Sequence, residues 1–236
     1  MATLTSKKLS AQVIAAAKQY RSKEKTAVLE RFFKTGPGQY GEGDIFWGLS
    51  VPQSRTIAKQ YSQLTLSEVK KLLQSPIHEI RLIALLILVE RFLNKPQKTI
   101  VDFYLKNTKY INNWDLVDLS ASKILGTWLL DKDPKILYKL IASKNLWERR
   151  IAIVASYAFI RADIFKHTIA LSEKLLGDTH DLMHKASGWM LREMGKRSIN
   201  DLRLFLNKHT RRMPRTMLRY AIERLPEKER IIYLKK

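Results

Sequence analysis

The amino-acid sequence predicts an all-α protein, built as a HEAT-like helical-repeat solenoid. Apolar residues recur at spacings of three and four in almost every segment between glycines and prolines, which is the period of amphipathic helices. The alternating patterns typical of strands are nearly absent. The predicted helices also fall into pairs, and one member of each pair resembles its counterparts along the chain. Together these observations predict the fold class.

The resembling helices are "HEIRLIALLILVERF", "NWDLVDLSASKILGTWL", "LWERRIAIVASYAFI", "DLMHKASGWMLREMG" and "RRMPRTMLRYAIERL". The equivalent position in each of these five helices is occupied by Arg81, Asp118, Arg150, Lys185 and Arg215, respectively. These points are separated by 37, 32, 35 and 30 residues. A period of this length is typical of solenoids in which each helix pair buries its apolar face against its neighbours. We therefore predict a single curved superhelical domain over residues 1–236. The basic side chains at these equivalent positions are expected on its concave face.

In chain order, we expect amino-terminal helices over 1–33, a glycine-rich linker over 34–51 and HEAT-like repeats over 52–236. The predicted helices are Thr5–Tyr20, Lys23–Phe33, Pro52–Tyr61, Leu66–Gln74, Ile77–Asn94, Pro96–Tyr104, Asn113–Leu130, Pro134–Ala142, Leu146–Ile160, Phe165–Leu176, Asp181–Arg197, Ile199–Lys208, Arg215–Arg224 and Pro226–Leu234. Among them, "LIALLILV" (Leu82 to Val89) is apolar throughout. It is too short to span a membrane, so it predicts a buried helix.

The stretch "KTGPGQYGEGDIFWGLSVPQSR" (Lys34 to Arg55) is the glycine-rich segment of the chain. It lacks the Gly-Lys-Ser/Thr ending of a phosphate-binding loop and follows no predicted strand, and Glu42 and Asp44 would repel phosphate. We interpret it as an ordered linker that joins the first helix pair to the repeats.

The charge of the chain indicates a polyanionic partner. Its 236 residues include 43 Lys and Arg against 22 Asp and Glu, a net charge of +21. An excess of this size usually matches nucleic acid, with an anionic membrane surface as the second possibility. The apolar fraction of 45% argues against global disorder. The amino terminus does not resemble a secretion signal, so we expect a cytoplasmic protein.

The residue types also argue against metal and thiol chemistry. The chain has no cysteine, which excludes disulfides, thiol catalysis and thiolate metal sites. His180 and His184 share a helical i, i+4 spacing, but no acidic partner follows them in the metalloprotease pattern. We expect no metal site and no cofactor.

One helix start places a tryptophan beside two carboxylates. In "NNWDLVDLSASKILG", Trp114 and Asp118 stand at i, i+4 and project from the same helix face. Asp115 lies in the first turn, where capping and the helix dipole suffice to explain a carboxylate. Asp118 occupies the row in which the other repeats carry Arg or Lys, where it would repel a phosphate backbone. A structural salt bridge to a neighbouring repeat is the alternative explanation for Asp118.

Two later segments repeat the combination of an indole with basic side chains. They contain Trp147, Arg149 and Arg150, and Trp189, Arg192 and Lys196. A tryptophan in a helix belongs to the core more often than to a site. Gly188, before Trp189, is unfavourable in a helix interior by about 1 kcal/mol relative to alanine. A glycine there is typical of a close approach, and DNA is one candidate for the approaching group.

The segments "NWDLVDLSA", "LWERRIAI" and "KASGWMLREMGK" resemble the motifs of the AlkD-like DNA alkylation repair glycosylases, HEAT-like proteins that release alkylated bases. The resemblance extends from about "FFKTGPGQYGEGDIFWGLSVPQSRTIAK" to "RRMPRTMLRYAIERL". It implies that Asp118 is the catalytic aspartate, that Trp114 and Trp189 contact the sugar and that Arg150 contacts a phosphate. It also implies double-stranded DNA carrying alkylated purines as the partner, and an open cleft without a pocket for the base.

The chemistry of such a reaction suits these residue types. A purine alkylated at N3 or N7 is already cationic, so it can leave without a general acid. The enzyme must stabilise the positive charge that develops on the deoxyribose. One carboxylate about 4 Å from that charge contributes on the order of 4 kcal/mol at an effective dielectric constant near 20. Indole faces also attract an electron-poor sugar. The expected DNA contacts are Arg81, Arg149, Arg150, Lys185, Arg192, Arg211, Arg212 and Arg215.

Two other function classes stay open from the sequence. A non-catalytic, basic HEAT-repeat nucleic-acid-binding protein fits the charge and the arginines, and Asp118 alone argues against it. A protein-binding HEAT scaffold fits the repeats but rarely needs a charge of +21. Salt-dependent DNA affinity separates the scaffold from the other two classes, and release of a methylated base identifies the glycosylase. We expect a monomer, and N3-alkyladenine, N7-alkylguanine and bulky adducts are all open as substrates.

Overall fold

The structure is a computed structural model that describes residues 9–235. The regular elements of these residues are helices, and their one β contact is an isolated parallel bridge between Ile45 and Ile77. The predicted all-α class is therefore confirmed. The expected start of the first helix, at Thr5, lies outside the described residues.

The chain divides into two compact units, with the boundary between Ser120 and Ala121. The helices of the amino-terminal unit are α1 (Ser10–Lys18), α2 (Lys23–Phe32), α3 (Val51–Gln60), α4 (Leu66–Leu73), α5 (His78–Asn94), α6 (Lys98–Lys106) and α7 (Trp114–Asp118). The helices of the carboxy-terminal unit are α8 (Lys135–Leu140), α9 (Leu146–Arg161), α10 (Lys166–Lys174), α11 (Asp181–Arg197), α12 (Ile199–His209), α13 (Arg215–Ala221) and α14 (Glu227–Lys235).

Repeat proteins make most of their contacts between neighbouring repeats, so their contacts are local in sequence. The single superhelical domain stays a prediction.

Helix α5 forms the centre of the amino-terminal unit. Helices α1, α3, α4 and α7 all contact it. Its residues from Ile80 to Val89 are buried, which confirms the buried helix predicted from "LIALLILV". Each fully buried Leu or Ile side chain contributes about 1.5–3 kcal/mol relative to an exposed one, so α5 supplies much of the stability of this unit.

Helices α9 and α11 form the centre of the carboxy-terminal unit. Helix α11 contacts both α9 and α13, and α9 contacts a helical turn at Ser122–Gly126. These are the main helices of consecutive predicted repeats, packed side by side. The supporting helices α8 and α10 contact α9, and α12 contacts α11. The pairing of helices predicted from the sequence is thus present in this unit.

The predicted helix Asn113–Leu130 is wrong as a continuous element. Helix α7 ends at Asp118, and after a short turn the chain forms a π-helical turn at Ser122–Gly126. The hydroxyl of Ser120 donates to the carbonyl of Leu116 at 2.5 Å, a bond that competes with regular helix hydrogen bonding. Turns of the π type often accompany functional sites. Apart from the expected start of the first helix, which lies outside the described residues, the other predicted helices agree with the structure to within a few residues at each end.

The glycine-rich segment 34–51 is ordered, as predicted, but it contributes to the core of its unit. Phe46 and Leu49 from this segment are 3% and 4% exposed. The backbone N–H of His78 donates to the carbonyl of Ile45 at 2.8 Å, which ties the segment to the start of α5. The segment is therefore more than a connection between helices.

The carboxylate of Glu79 holds the end of this segment in place. It accepts hydrogen bonds of 2.8–3.1 Å from the backbone N–H groups of Trp47, Gly48 and Leu49. Gly48 has a φ of 86°, a left-handed conformation that favours glycine. This tight turn allows three consecutive N–H groups to converge on one buried carboxylate, which satisfies its charge.

Among residues 9–235, the helices are all too short or too polar to cross a lipid bilayer.

Candidate functional site

Trp114 and Asp118 lie at the two ends of the short helix α7. The side-chain oxygen of Asn113 accepts the backbone N–H of Trp114 at 2.8 Å and so caps the helix start. Both Trp114 and Asp118 are half-buried, and both line the same cavity in the amino-terminal unit. The i, i+4 spacing thus places the indole and the carboxylate side by side, as the sequence predicts.

This cavity, called the Trp114 cavity below, has a volume of about 330 Å³. Helices α2 and α7, the glycine-rich segment and the starts of α3 and α5 form its walls. Its lining residues are Leu29, Phe32, Phe33, Phe46, Leu49, Ser50, Val51, His78, Glu79, Leu82, Trp114, Asp115, Asp118 and Leu119. The sequence gave no indication of a cavity at this position.

Four aromatic rings follow one another along the wall of the Trp114 cavity. The indole of Trp114 stacks on Phe33 with ring centroids 5.1 Å apart, and Phe33 stacks on Phe46 at 5.0 Å. Phe46 in turn stacks on the imidazole of His78 at 4.5 Å. Phe32 contacts the edge of Trp114 and is 60% exposed. Offset stacking of this kind fixes ring orientations and holds Trp114 in one position.

His78 lies beneath this stack between two carboxylates. Its Nε2 lies 2.8 Å from Oδ2 of Asp115, and its Nδ1 lies 3.1 Å from Oδ2 of Asp44. Burial by itself would lower the pKa of His78, but the two carboxylates outweigh it and raise that pKa to about 9. His78 is therefore a buried cation at neutral pH. Asp115 also accepts the N–H of Leu116, so it is a cap and an ion-pair partner at once, which the sequence did not indicate.

Arg81, expected from the sequence to contact DNA, belongs to the same buried network. Its guanidinium lies 2.5 Å from Oδ1 of Asp44 and also donates to the carbonyl of Ser75 at 3.0 Å. Arg81 is only 5% exposed. Burial raises the pKa of Asp44, but the hydrogen bond from His78 and the charge of Arg81 outweigh it and lower that pKa below its ordinary value. Arg81 thus stabilises the fold beneath the site.

Trp189, the second predicted sugar contact, lies on α11 in the carboxy-terminal unit. It is half-buried beside Tyr157, with ring centroids 6.3 Å apart. Trp114 and Trp189 belong to different units, and their joint contact with one sugar stays a prediction.

The structure explains Gly188 by protein packing instead of by DNA. A Cβ atom at this position would lie 2.5 Å from the carbonyl oxygen of Met217 and 2.6 Å from Cβ of Tyr220. Both residues belong to α13, which packs closely against α11. The glycine therefore permits the close approach of these two helices.

Arg150 and Arg149 both have partners within the protein. Arg150 is 5% exposed, and its guanidinium donates to the carbonyl of Leu182. The contact of Arg150 with a phosphate stays a prediction. Arg149 is half-buried, with its Nε 2.7 Å from Oδ2 of Asp178 and further bonds to the carbonyls of Ser143 and Lys144.

Lys185 and Arg192, on α11, are half-buried and form ion pairs. Lys185 lies 2.8 Å from Asp181, and Arg192 contacts Glu223 and lies 3.4 Å from Glu193. Their positive charges are thus partly neutralised by neighbouring carboxylates.

Arg211, Arg212 and Arg215 are exposed near the start of α13. The first two lie in the turn Thr210–Arg212, and Arg215 donates to the carbonyl of Leu234 at 3.1 Å. These three are the fully exposed members of the predicted set of DNA contacts, and their contact with DNA stays a prediction.

His180 and His184 have local structural roles. His180 caps the start of α11 by accepting the N–H of Leu182, and His184 contacts the carbonyl of Asp178. Among residues 9–235, the structure contains no group of three His, Cys, Asp or Glu side chains arranged to hold a metal ion.

Sequence reasoning missed His78, Asp44 and Glu79 as parts of the site. One signal for them was present: "HEIR" places three charged side chains at the start of a helix whose next eight residues are all apolar. Buried charges require partners, so charged residues on such a helix indicate a network. Spacing alone could not identify Asp44, in the glycine-rich segment, as the partner of His78 and Arg81.

Comparison with known proteins agrees with the resemblance seen in the sequence. The family model described as DNA alkylation repair enzyme matches residues 13–225. No curated protein is similar enough to be matched. Among solved structures, one described as a predicted DNA alkylation repair enzyme from Enterococcus faecalis is 17% identical with a TM-score of 0.72. The similarity covers 88% of this chain and 97% of that chain, and at this identity it shows the fold alone. Because the family model matches most of its length, the chain belongs to the DNA alkylation repair enzyme family.

Proposed function

We propose that this protein is a DNA glycosylase that hydrolyses the N-glycosidic bond of purines alkylated at N3 or N7. The observation that carries the proposal is the juxtaposition of Trp114 and Asp118 at one cavity. Membership of a DNA alkylation repair family supports DNA as the substrate. The net charge of +21 supports binding to a polyanion.

In the proposed reaction, the bond between the deoxyribose C1′ and the purine nitrogen breaks, and its electron pair neutralises the cationic base. The sugar becomes an oxocarbenium ion, which the carboxylate of Asp118 stabilises. Water then adds to C1′ and loses a proton to solvent, which leaves a free base and an abasic site. Asp118 also orients this water. Stabilisation of the oxocarbenium ion by this carboxylate, on the order of 4 kcal/mol, corresponds to a rate increase of roughly three decades.

Trp114 presents an indole beside the same sugar, where its negative quadrupole favours the developing positive charge. The stack on Phe33 fixes the orientation of this indole before substrate binds. Trp189 is proposed as the second sugar contact from the carboxy-terminal unit. Arg211, Arg212 and Arg215 are proposed as phosphate contacts because they are exposed.

The test is the release of free base from duplex DNA that contains 7-methylguanine. We expect the natural protein to release it and Asp118→Asn to slow the release by about two to three decades, an estimate scaled from the electrostatic term above. The melting temperature should stay nearly unchanged, since asparagine keeps the volume. DNA affinity should hold or increase, because the substitution removes a negative charge facing phosphates.

Asp102→Asn is the matched control, because Asp102 is an exposed carboxylate of α6 that pairs with Lys98 away from the cavity. It should leave the rate unchanged. Full activity of a folded Asp118→Asn variant would remove Asp118 from the mechanism. Salt-dependent DNA binding without any base release would identify the protein as a non-catalytic DNA-binding protein.

A further inference from the structure

We propose that Asp44, in the glycine-rich segment, is a positioning residue of the site: it sets the orientation of Trp114 and Asp118 without contacting the substrate. It acts through two buried side chains, Asn113 and His78, which both lead to the start of α7. This inference rests on the proposed glycosylase function, because it concerns the residues proposed to act on the sugar.

Asp44 collects donors from two other segments of the amino-terminal unit. Its Oδ1 lies 2.5 Å from the guanidinium of Arg81. Its Oδ2 accepts from Nδ2 of Asn113 at 3.1 Å and lies 3.1 Å from Nδ1 of His78. The side chain is only 5% exposed, so protein donors satisfy its charge. A carboxylate accepts on both oxygens at once, which an amide cannot do. Asp44 therefore fixes Asn113 and His78 relative to each other.

The first of these connections acts on the residue directly before the indole. Asn113 is fully buried, and its side chain is held at both ends. Nδ2 donates to Asp44, and Oδ1 accepts the backbone N–H of Trp114 at 2.8 Å. Because the amide group is planar, fixing one end also fixes the other. Asp44 thus determines the direction of the helix cap from which Trp114 continues.

The second connection reaches α7 through the imidazole of His78. Its Nδ1 lies against Asp44, and its Nε2 lies 2.8 Å from Oδ2 of Asp115, in the first turn of α7. The centroid of the same imidazole lies 5.0 Å from that of Phe33, the ring on which the indole of Trp114 stacks. A rotation of this imidazole would therefore disturb both the helix start and the aromatic stack.

The length of α7 makes its orientation depend on these contacts. The helix has five residues, and a helix this short has little stability of its own. Its first N–H groups need partners outside the helix ladder, and Asn113 and Asp115 accept two of them. A shift of about 1 Å at a reacting group can lower a rate on the order of a hundredfold. A change at Asp44 should therefore reach the chemistry through α7.

The glycine-rich segment has other attachments besides Asp44. The carboxylate of Glu79 accepts the three consecutive N–H groups of residues 47–49. The N–H of His78 also donates to the carbonyl of Ile45 at 2.8 Å. The segment should therefore stay in place when the Asp44 side chain is changed, and the effect should fall on α7.

Asn113→Ser tests the connection to the helix cap, because serine still caps a helix but is too short to reach Asp44. Single-turnover excision of 7-methylguanine should slow by about ten- to hundredfold. DNA affinity, measured by fluorescence anisotropy, should stay unchanged, since the substitution affects the reacting geometry. Asn145→Ser is the matched control and should keep the full rate. Asn145 is exposed and caps α9 by accepting the N–H of Trp147 at 2.8 Å.

Fluorine NMR of protein labelled with fluorotryptophan reports on the indole directly, without catalysis. The chain has five tryptophans, and Trp114→Phe identifies the resonance of Trp114. Asp44→Asn and Asn113→Ser should broaden or split this resonance, because the indole no longer has a single orientation. Asn145→Ser should leave it as in the natural protein.

A single sharp Trp114 resonance in both variants, or full excision by either folded variant, would overturn the inference even where Asp118→Asn abolishes excision. An equal loss of DNA affinity would indicate a general loss of structure and contradict a positioning role. If Asp44→Asn does not fold, Asn113→Ser decides the question. If the natural protein releases no base, the glycosylase function is wrong, and the Trp114 resonance still decides whether Asp44 orients this indole.

Discussion

Nε2 of His78 lies 2.8 Å from Oδ2 of Asp115, and this contact joins the first residue of α5 to the first turn of α7. Both side chains are buried. The contact fixes the start of the helix that carries Trp114 and Asp118, so a charged pair beneath the cavity positions the residues proposed to act in it. Asp115 therefore has a larger structural role than a helix cap.

Asp115→Asn should lower the free energy of unfolding by about 3 kcal/mol or more, because it leaves the buried cation of His78 with one carboxylate that Arg81 already shares. A simple helix cap of this kind would cost under about 1 kcal/mol. Urea denaturation at neutral pH measures the difference. Asp118→Asn, in the same helix, is the control and should unfold like the natural protein. A loss under about 1 kcal/mol for Asp115→Asn would show that the ion pair contributes little.

Stability should fall as the pH rises through the alkaline range. The pKa of His78 is raised from 6.5 to about 9 on folding, so its contribution is complete below about pH 6.5 and is lost as the pH rises through 9. At about 1.36 kcal/mol per pKa unit, the loss amounts to about 3 kcal/mol. Urea unfolding at several pH values between 6 and 10 measures it, with NMR titration of the imidazole in parallel. A flat profile together with an imidazole that titrates near 6.5 would contradict this prediction.

Gly188→Ala should destabilise the carboxy-terminal unit by about 1–3 kcal/mol, because the added methyl group overlaps the carbonyl of Met217. This cost should exceed the gain of about 1 kcal/mol that alanine brings to a helix interior. Thermal unfolding measures the change. Gly177→Ala, where an added Cβ meets nothing within 4 Å, is the control and should be nearly neutral. A stabilised Gly188→Ala variant would show that α11 and α13 separate easily.

Arg211→Ala and Arg212→Ala should each weaken DNA binding evenly across sequences and reduce the salt dependence by about 0.9 in log–log slope. Both side chains are exposed. Arg150→Ala should instead lower the free energy of unfolding by about 1–3 kcal/mol, since it removes a buried donor from the carbonyl of Leu182. Fluorescence anisotropy with two unrelated duplexes at several salt concentrations measures the DNA binding of Arg211→Ala and Arg212→Ala. If Arg150→Ala alone changed the salt slope, the assignments of these arginines would be reversed.

The sequence alone determined features that depend on local periodicity and on composition. Eight consecutive apolar residues made the burial of α5 predictable, because no face of such a helix can remain in water. The i, i+4 spacing of Trp114 and Asp118 was enough to place both on one side of α7. The recurrence of similar helices predicted the contacts between α9, α11 and α13.

Only the tertiary structure decided which partner each charged or small residue meets. Asp44 and Asp115 lie 34 and 37 positions from His78 in the chain, and no local pattern pairs them. The burial of Arg81 and Arg150 and the contact of Gly188 with α13 likewise depend on how neighbouring helices cross. Helical periodicity specifies which face of a helix a side chain occupies. The group that covers that face is set by packing between segments distant in sequence, and so is the cavity that forms where α2, α5 and α7 do not fill the space between them.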